Sequence, residues 1–330
     1  MHRFVIIGPG YISRRYVERI STMQHASVAA VVGRNVDRTR RYAKQHGIPI
    51  YGTDLQTVVN EIRPQSAIIC TPNALHHEGV IAAANLGLHC LCEKPLDVSR
   101  RGQHSMIDAC RRNGVKLGVA YIHRFHNHLQ YIENAINTGM LGDILVVDAT
   151  MKIYREPEYY TKSSWHGTRI LDGGGAFIQQ GSHMVDLVLW LAGDYQDVLE
   201  ARRFTILHDI EVEDHGYAVI EFKNGAVGMI QASTACKGMT RQTIEISGSN
   251  GYLFCDLSNI IRCNIDGQTQ QPEFEPDEDL FSQLINDFIK AAETDREPFI
   301  TGESAQAATE LILDIYKKSG PPRRMLPSNL

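Results

Sequence analysis

The sequence predicts an α/β domain with a doubly wound parallel sheet, followed by an α+β domain with a large, open, mostly antiparallel sheet. Up to Tyr121, short continuous apolar runs alternate with amphipathic helical segments. This alternation is typical of parallel strands covered by helices on both faces. Beyond Tyr121 the apolar residues recur with period 2, as in half-buried antiparallel strands. We therefore expect domains at residues 1–121 and 122–330.

The N-terminus reads as a strand, a glycine-rich loop and a helix. Residues 3–7 are a buried strand, and the helix runs to about Ile20. The loop between them reads Gly8-Pro9-Gly10-Tyr11-Ile12-Ser13. Gly8 allows a tight turn, and Gly10 lets the backbone approach a pyrophosphate at the helix N-terminus. A third glycine is replaced by Ser13, so the motif alone is equally typical of an ordinary strand-to-helix turn.

The rest of the first domain repeats the same alternation of strand and helix. After residues 27–32, a basic helix and a short amphipathic segment at 54–61 are expected. Further strands are predicted at 66–70, 89–92 and 116–120, and further helices at 76–86 and 100–113.

The second domain begins with a helix at about 129–138 and a strand at 144–151. Residues 215–222 and 226–235 flank Lys223-Asn224-Gly225, and an Asn-Gly turn favours a tight hairpin. Strands at 243–246 and 252–255 extend the sheet. Two C-terminal helices at about 280–292 and 303–318 are expected to pack against it, and the acidic stretch 273–279 is interpreted as a solvated loop.

The end of the second strand favours NADP over NAD. An acidic side chain there would bind both ribose hydroxyls of NAD, but this chain has Gly33-Arg34-Asn35. Arg34 and Arg38 could pair with a 2′-phosphate, which no nearby carboxylate would repel. NAD remains the alternative, because Asn35 could bind an unmodified ribose and arginines are common at surface turns.

Composition argues against several classes of partner. The 330 residues carry a formal net charge of −5, without a basic stripe, so nucleic acid is not an expected partner. No apolar run reaches the ~20 residues of a membrane span, and the N-terminus enters a strand directly, so we expect no membrane association and a cytoplasmic protein.

Cysteine and histidine patterns do not predict a metal site. Cys70, Cys90, Cys92 and Cys110 fall in predicted strands and helices, as buried thiols of a reducing compartment would. Neither the group His123, His126 and His128 nor Cys90-x-Cys92 has a second set of ligands at the sequence spacing of a zinc site. Structural histidines are the favoured interpretation.

Several motifs together resemble the glucose-fructose oxidoreductase, inositol dehydrogenase and rhizopine-catabolism (Gfo/Idh/MocA) family. They are the Gly8-x-Gly10 loop, Thr71-Pro72-Asn73 with His76, Glu93-Lys94-Pro95, and Gly173-Gly174-Gly175 leading to His183 and Asp186. The resemblance spans the chain and implies a Rossmann domain followed by an open sheet. It also implies that Lys94 contacts nicotinamide and substrate and that Pro95 is cis. The remaining residues expected to contact the cofactor are Tyr11, Ile12, Thr71, Pro72, Asn73, His76, Glu93 and Trp165.

The resemblance implies hydride chemistry with three catalytic residues. A cation such as Lys94 stabilises the charge that develops on the alcohol or carbonyl oxygen. His183 is the expected general acid/base, because imidazole exchanges protons near neutrality. Asp186 lies three residues further along a helix, where its carboxylate would orient the imidazole.

The sequence departs from the family at the substrate positions. Inositol dehydrogenases have an Asp where this chain has Gln179, and an amide cannot take up a proton. Sugar and nucleotide-sugar dehydrogenases usually have Arg where His166 stands and Asn at position 179, which weakens the case for a pyrophosphate-bearing substrate. The expected substrate contacts are Arg124, Tyr160, His166, Arg169 and Gln179.

The resulting prediction is an NAD(P)-dependent dehydrogenase or reductase acting on a CH–OH group of a carbohydrate, with hydride exchanged across the cleft between the domains. One alternative is a lyase, epimerase or glycosidase of the same family that recycles its cofactor. Another is a non-catalytic regulator that senses the dinucleotide. The resemblance also implies a homodimer or homotetramer, since sheets of the second domain usually pair in this family.

Overall fold

The computed structural model describes residues 1–325 and divides into two compact units. The first comprises Met1–Ile122 and Glu278–Gln306, and the second comprises His123–Asp277 and the chain from Ala307 onward. Each unit is built on one sheet.

The first unit contains a six-stranded sheet in the order β3-β2-β1-β4-β5-β6, with every pair parallel. Its strands are β1 (His2–Ile7), β2 (Ala26–Val32), β3 (Ile50–Gly52), β4 (Ser66–Ile69), β5 (His89–Cys92) and β6 (Leu117–Val119). This is the doubly wound order of a dinucleotide-binding sheet, with its switch point between β1 and β4. The predicted fold class of this part is confirmed.

Five helices connect these strands, and side chains cap three of them. The helices are α1 (Tyr11–Ile20), α2 (Val36–His46), α3 (Leu55–Ile62), α4 (His76–Asn85) and α5 (Arg100–Arg112). Asn35, Asp54 and Ser99 each accept a hydrogen bond from a backbone N–H in the first turn of the following helix. Such caps satisfy donors that have no partner within the helix, which fixes where each helix begins.

The second unit contains a nine-stranded sheet in the order β14-β13-β12-β11-β7-β10-β9-β8-β15. Its strands are β7 (Ile144–Lys152), β8 (Tyr195–Thr205), β9 (His215–Phe222), β10 (Val227–Ser233), β11 (Arg241–Gly248), β12 (Gly251–Asp256), β13 (Ile260–Ile265), β14 (Gln268–Gln270) and β15 (Arg323–Arg324). Among the strands of residues 1–325 in this sheet, only the pairs β7/β10 and β8/β15 are parallel. The predicted mostly antiparallel sheet is confirmed, including the β9/β10 hairpin, where Gly225 has φ +86°.

Helices cover one face of this sheet. The helices of this unit include α6 (Asn127–Asn137), the short α7 (Pro157–Thr161) and α8 (Ser182–Ala192); α8 packs on β7, and α6 packs on α8. On the other face, Val146, Val227, Met229 and Tyr252 are all more than 40% exposed. The expected homodimer or homotetramer stays a prediction.

The expectation that both C-terminal helices pack against the second sheet is wrong for α9 (Leu280–Thr294). This helix belongs to the first unit, where Phe281 packs edge-on against Tyr16 with ring centroids 5.4 Å apart. An added Cβ on Gly118 of β6 would lie 2.8 Å from the Phe288 ring, so Gly118 makes room for α9. The last helix, α10 (Gly302–Ser319), begins in the first unit and continues into the second.

All seven cysteines have free thiols, and six of them, including the four singled out from the sequence, are buried. Burial raises the pKa of the Cys70 and Cys92 thiols, so both are protonated near neutrality.

Candidate active site

The glycine-rich loop after β1 fits a bound pyrophosphate. Gly8 has φ +100°, and a Cβ there would lie 2.7 Å from the carbonyl oxygen of Cys70, so no other residue fits. A Cβ on Gly10 would meet no atom within 4 Å, which leaves the loop backbone open to a ligand. The hydroxyl of Ser13 accepts a hydrogen bond from the Gly10 N–H at 2.8 Å and thus braces the loop where a third glycine was expected.

A second sign of a ligand site lies at the end of β4, next to the switch point. The buried hydroxyl of Thr71 has no hydrogen-bond partner among residues 1–325. Buried polar groups are nearly always paired, so a polar ligand is a natural partner for this hydroxyl. Together with the open loop at Gly10, it fits the predicted dinucleotide.

The end of β2 has no room for an acidic side chain. A Cβ on Gly33 would lie 2.6 Å from both Pro9 Cδ and Thr39 Oγ1. Any larger residue at this position would displace the glycine-rich loop or α2. Arg34 and Arg38 are exposed, and Arg38 donates a hydrogen bond to the carbonyl oxygen of Pro9 at 3.0 Å.

At the end of β5, the backbone of Lys94 is held by a hydrogen bond to the buried side chain of Glu93. Glu93 is 7% exposed and accepts a hydrogen bond from the Tyr16 hydroxyl at 2.8 Å. Its other oxygen accepts the backbone N–H of Lys94 at 3.2 Å. Burial raises the pKa of Glu93, which the charge of Lys94 and the Tyr16 hydroxyl only partly offset. The Lys94–Pro95 peptide is cis, as the family resemblance implies.

Two residues expected to contact the cofactor have hydrogen-bond partners within the protein. The two oxygens of Glu93 are bound within the protein, so Glu93 supports Lys94. His76 is 1% exposed, with Nδ1 2.8 Å from the carbonyl oxygen of Pro95 and Nε2 3.0 Å from that of Thr71. Burial lowers its pKa, so the ring is neutral and ties the β4 turn to the Pro95 turn. Whether Glu93 and His76 also contact the cofactor stays a prediction.

The triple glycine precedes a π-helical turn, Ala176–Gly181, that leads directly into α8 and His183. Gly173 has φ +81°, and a Cβ on Gly174 would lie 2.1 Å from the Tyr316 hydroxyl. A Cβ on Gly175 would lie 1.7 Å from the Glu213 carbonyl oxygen. Glu213 is fully buried, and its carboxylate accepts the N–H groups of Gly175 and Phe177. π-turns recur at functional sites, and this one places the half-buried His183.

Alanine at Gly175 is therefore expected to destabilise the protein, whereas alanine at Gly10 is not. Gly175→Ala forces a methyl group into a backbone oxygen, which should cost at least about 3 kcal/mol, the upper end for overpacked cores. Gly10→Ala places its methyl in open space and should instead weaken dinucleotide binding. Urea unfolding and cofactor titration of both variants check this pair. Equal unfolding midpoints for both would contradict the assigned role of Gly175.

Gln179 lies beside a buried carboxylate to which the sequence patterns assigned no role. Its Nε2 donates to Asp172 Oδ1 at 3.1 Å, and Asp172 Oδ2 accepts the Gly167 N–H at 2.8 Å. Asp172 is fully buried and Gln179 is 8% exposed. Gln179 itself cannot ionise, but its side chain is hydrogen-bonded to the ionisable carboxyl group of Asp172.

The prediction that Asp186 orients the imidazole of His183 is wrong. The Asp186 carboxylate is bound by Arg124, with Nε to Oδ2 at 2.9 Å and Nη2 to Oδ1 at 2.5 Å. Both side chains are buried, at 6% and 1% exposure, and form a two-point ion pair. Arg124, expected to contact substrate, thus pairs with Asp186 of α8, and its contact with substrate stays a prediction. Helical spacing put Asp186 and His183 near one face but could not reveal the competing guanidinium.

The segment between β7 and the triple glycine forms an aromatic stack. His166 is stacked on Tyr159 with ring centroids 4.3 Å apart, and its centroid lies 4.0 Å from that of Trp165. Burial raises the pKa of Tyr159 to about 12, so its hydroxyl stays protonated. The Tyr160 hydroxyl lies 2.9 Å from Thr234 Oγ1. Arg169 is exposed and donates from Nε to the Glu211 carbonyl oxygen at 3.1 Å. The substrate roles of Tyr160, His166 and Arg169 stay predictions.

Two family models match the chain. One, described as an oxidoreductase family with an NAD-binding Rossmann fold, covers residues 2–121. The other, described as the GFO/IDH/MocA C-terminal domain, covers residues 129–254. The chain belongs to the GFO/IDH/MocA oxidoreductase family.

Members of the family match nearly the whole chain. The crystal structure of the WlbA dehydrogenase from Bordetella pertussis, in complex with NADH and UDP-GlcNAcA, is 27% identical, with TM-score 0.87 and 96% of each chain covered. Myo-inositol 2-dehydrogenase of Thermotoga maritima is 24% identical over 93% of this chain and 92% of its own length. 1,5-anhydro-D-fructose reductase of Ensifer adhaerens is 25% identical over 92% of each chain.

These matches confirm the predicted family, fold class and oxidoreductase activity class. The GFO/IDH/MocA family is NAD-binding, whereas a preference for NADP stays a prediction. Among residues 1–325, no helix has the length and apolar character of a membrane span.

One histidine cluster is not explained by the family motifs. His126, His128 and Asp277 have donor atoms within 4.8 Å of one another, a spacing compatible with a metal ion. However, His126 Nδ1 is hydrogen-bonded to Asp277 at 2.5 Å, and His128 Nε2 lies 2.9 Å from the Asp256 carbonyl oxygen. Asp277 also accepts the N–H of Asn127 at 2.8 Å, so the acidic stretch is a loop with specific contacts. Hydrogen bonds account for this geometry without an ion.

Proposed function

We propose that this protein transfers a hydride between a nicotinamide cofactor and a secondary alcohol or ketone of a sugar or sugar derivative. The observation that carries the proposal is the Glu93-Lys94-Pro95 turn, in which buried hydrogen bonds fix a lysine at the end of β5. Active sites of doubly wound sheets lie at the carboxyl ends of the strands, where this lysine stands. Family membership supports the same class of reaction.

Lys94 and His183 have complementary roles in the proposed reaction. A bound nicotinamide would accept the hydride in oxidation and supply it in reduction. The Lys94 ammonium stabilises negative charge on the reacting oxygen, because a fixed cation needs no reorganisation as that charge develops. His183 takes the hydroxyl proton in oxidation and returns it in reduction. The π-turn before α8 supports this role, because a fixed backbone would preorganise the imidazole.

The dinucleotide would be held by the Gly8–Gly10 loop and the end of β4. Backbone N–H groups at the start of α1 would bind the pyrophosphate, with Gly10 leaving space for its approach. The buried Thr71 hydroxyl would gain its missing partner. Tyr11, which is 78% exposed at the first position of α1, lies where it could cover the bound ligand.

We further propose that NADP is preferred over NAD. Gly33 is packed against Pro9 and Thr39, so the usual carboxylate is excluded by space as well as absent. Exposed Arg34 and Arg38 would provide positive charge for a 2′-phosphate, and Arg38 is already tied to the loop through Pro9.

Arg34→Ala and Arg38→Ala should therefore weaken NADPH binding more than NADH binding. A hydrogen bond to a charged group contributes about 1.5–3 kcal/mol, so each change should raise the Kd for NADPH roughly 10- to 100-fold. The matched control is Arg41→Ala, because Arg41 is an exposed arginine on α2, the helix that carries Arg38. An equal increase in the Kd for NADPH and for NADH would contradict a phosphate-binding role of these arginines.

The proposed function is tested by fluorescence titration of the purified protein with NADPH and NADH, followed by a panel of sugars. Turnover is measured with the tighter nucleotide and with its oxidised form. Net change in nicotinamide absorbance with a pyranose supports the dehydrogenase. Tight binding without any sugar conversion would favour a dinucleotide sensor, and sugar conversion without net redox would favour a lyase or epimerase that recycles its cofactor.

A further inference from the structure

We propose that Arg155 binds an anionic oxygen group, a carboxylate or a phosphate, on the carbohydrate substrate. The protein would then prefer acidic sugars over their neutral counterparts. This inference rests on the proposed function, because it concerns the substrate of that reaction. Arg155 follows β7 and belongs to none of the motifs that carry the family resemblance.

The guanidinium of Arg155 has no negative partner among residues 1–325. The residue is half-buried, and its Nε is buried without a hydrogen-bond partner. Within the part of the chain that the structure describes, its side chain makes one hydrogen bond, from Nη2 to Gln180 Oε1 at 2.7 Å. Arginine carries five N–H donors and keeps its charge at any physiological pH. Most of these donors are thus left for water or a ligand.

The acidic side chains of this region do not neutralise that charge by direct contact. Glu156 and Glu158 follow Arg155 in the chain but are exposed and form no ion pair with it. Asp172 is buried and accepts hydrogen bonds from a side-chain amide and a backbone N–H. Asp214 is also buried and accepts three backbone N–H groups. A partly desolvated cation without a counter-ion is costly, and an anionic ligand would offset that cost.

Tyr159 supplies a second donor next to the guanidinium. Because a guanidinium only donates, Gln180 must turn its carbonyl oxygen to Arg155, which directs its Nε2 to the Tyr159 hydroxyl at 3.3 Å. Burial raises the pKa of Tyr159 to about 12, so this hydroxyl keeps its own proton. Within residues 1–325 that proton has no acceptor. Since Arg155 Cζ lies 4.9 Å from the centroid of the Tyr159 ring, both groups can donate to one anion.

The backbone holds Arg155 beside the turn that leads to the proposed general acid/base. The Arg155 N–H donates to the Thr234 carbonyl oxygen at 3.0 Å, and its own carbonyl oxygen lies 2.8 Å from Nε2 of the buried His208. Gln180, the partner of the guanidinium, belongs to the π-helical turn before His183. An anion bound by Arg155 would therefore orient the substrate from the same turn that carries His183.

The test compares sugars that differ only in charge. D-glucose, D-galactose and N-acetyl-D-glucosamine are each compared with their 6-carboxylate, 6-phosphate and 1-phosphate forms. Binding is measured by isothermal titration calorimetry to protein saturated with the dinucleotide that binds more tightly. At least one anionic form should bind roughly 10- to 100-fold more tightly than its neutral parent, as expected for hydrogen bonds to a charged group. The form that binds identifies the anion as carboxylate or phosphate.

Arg155→Gln should abolish this preference while the Kd of the neutral parent changes less than about 3-fold. Arg155→Lys keeps the charge without the planar fork and should restore part of the preference, which a merely structural role of Arg155 would not predict. Arg262→Gln is the control, because Arg262 is an exposed arginine on β13. If Arg155→Gln lowers the melting temperature, Tyr159→Phe tests the same site and should weaken binding of the anionic sugar roughly 3- to 10-fold.

Three results would overturn the proposal. They are equal binding of neutral and anionic forms, no binding of any anionic form, and an Arg155→Gln protein that keeps the preference for the anion. Failure of the proposed function is a different result. An anionic sugar that binds through Arg155 without any change in nicotinamide absorbance would contradict the dehydrogenase and leave the binding site in place. A neutral sugar oxidised equally well by wild type and Arg155→Gln would support the dehydrogenase and contradict the anion site.

Discussion

Lys94→Ala should lower kcat by about 10²- to 10³-fold, while the Kd for the dinucleotide changes little. Removing one preorganised group that stabilises charge on a reacting oxygen costs roughly 3–4 kcal/mol of transition-state stabilisation. The dinucleotide would be held mainly by the loop after β1 and the end of β4. Lys94 follows β5 and belongs to neither of these segments. Steady-state turnover and fluorescence titration of the same preparation separate the two quantities.

Lys44→Ala is the matched control, because Lys44 is an exposed lysine on α2. It should leave both turnover and binding unchanged. A Lys94→Ala protein that turns over at the wild-type rate would contradict the proposed role of Lys94. A protein that loses dinucleotide binding completely would show that Lys94 serves mainly as a binding residue.

Asp186→Ala should destabilise the protein by about 3–5 kcal/mol, because it leaves the Arg124 guanidinium buried without its carboxylate. This is among the largest effects expected of a single substitution. The midpoint of urea unfolding should fall accordingly. If Asp186 served instead to orient His183, as the helical spacing suggests, turnover would fall while the unfolding midpoint stayed near that of wild type.

The double variant Arg124→Met/Asp186→Leu distinguishes the ion pair from other effects. Replacing both charges with apolar side chains of similar size removes the unpaired charge, so stability should return to within about 1 kcal/mol of wild type. A double variant as unstable as Asp186→Ala would contradict this account and indicate that shape at α8 matters more than charge pairing.

The sequence predicted those parts of the fold whose signals are local. Continuous apolar strands, the loop beginning at Gly8 and the turn at Gly225 each carry their own pattern, and all three were found where expected. The strand β8 was missed, because charged and polar residues occupy much of its exposed face. The placement of α9 was wrong, because an amphipathic helix shows that it has a buried face but not which sheet covers that face.

Only those residues of the candidate site that lie in short sequence motifs could be predicted. Lys94, His183 and the phosphate loop follow from short patterns, whereas the partner of Asp186 lies 62 residues away in sequence at Arg124. The buried carboxylates of Asp172 and Glu213 carry no sequence signal, since acidic residues between elements are usually exposed. Their roles depend on backbone N–H groups that only the folded chain brings together.

Direct transfer of deuterium tests the central claim most directly. The reduced nicotinamide nucleotide, with deuterium replacing both hydrogens of the reactive ring carbon, is mixed with the protein and the ketone form of the sugar found in the panel. The product is then examined by mass spectrometry. We predict that one deuterium appears on the carbon of the new alcohol, with labelled product formed by wild type and formed about 10²- to 10³-fold more slowly by Lys94→Ala. Product formed without the label, or a nucleotide that binds tightly and keeps its deuterium with every sugar ketone, would contradict hydride transfer as the function of this protein.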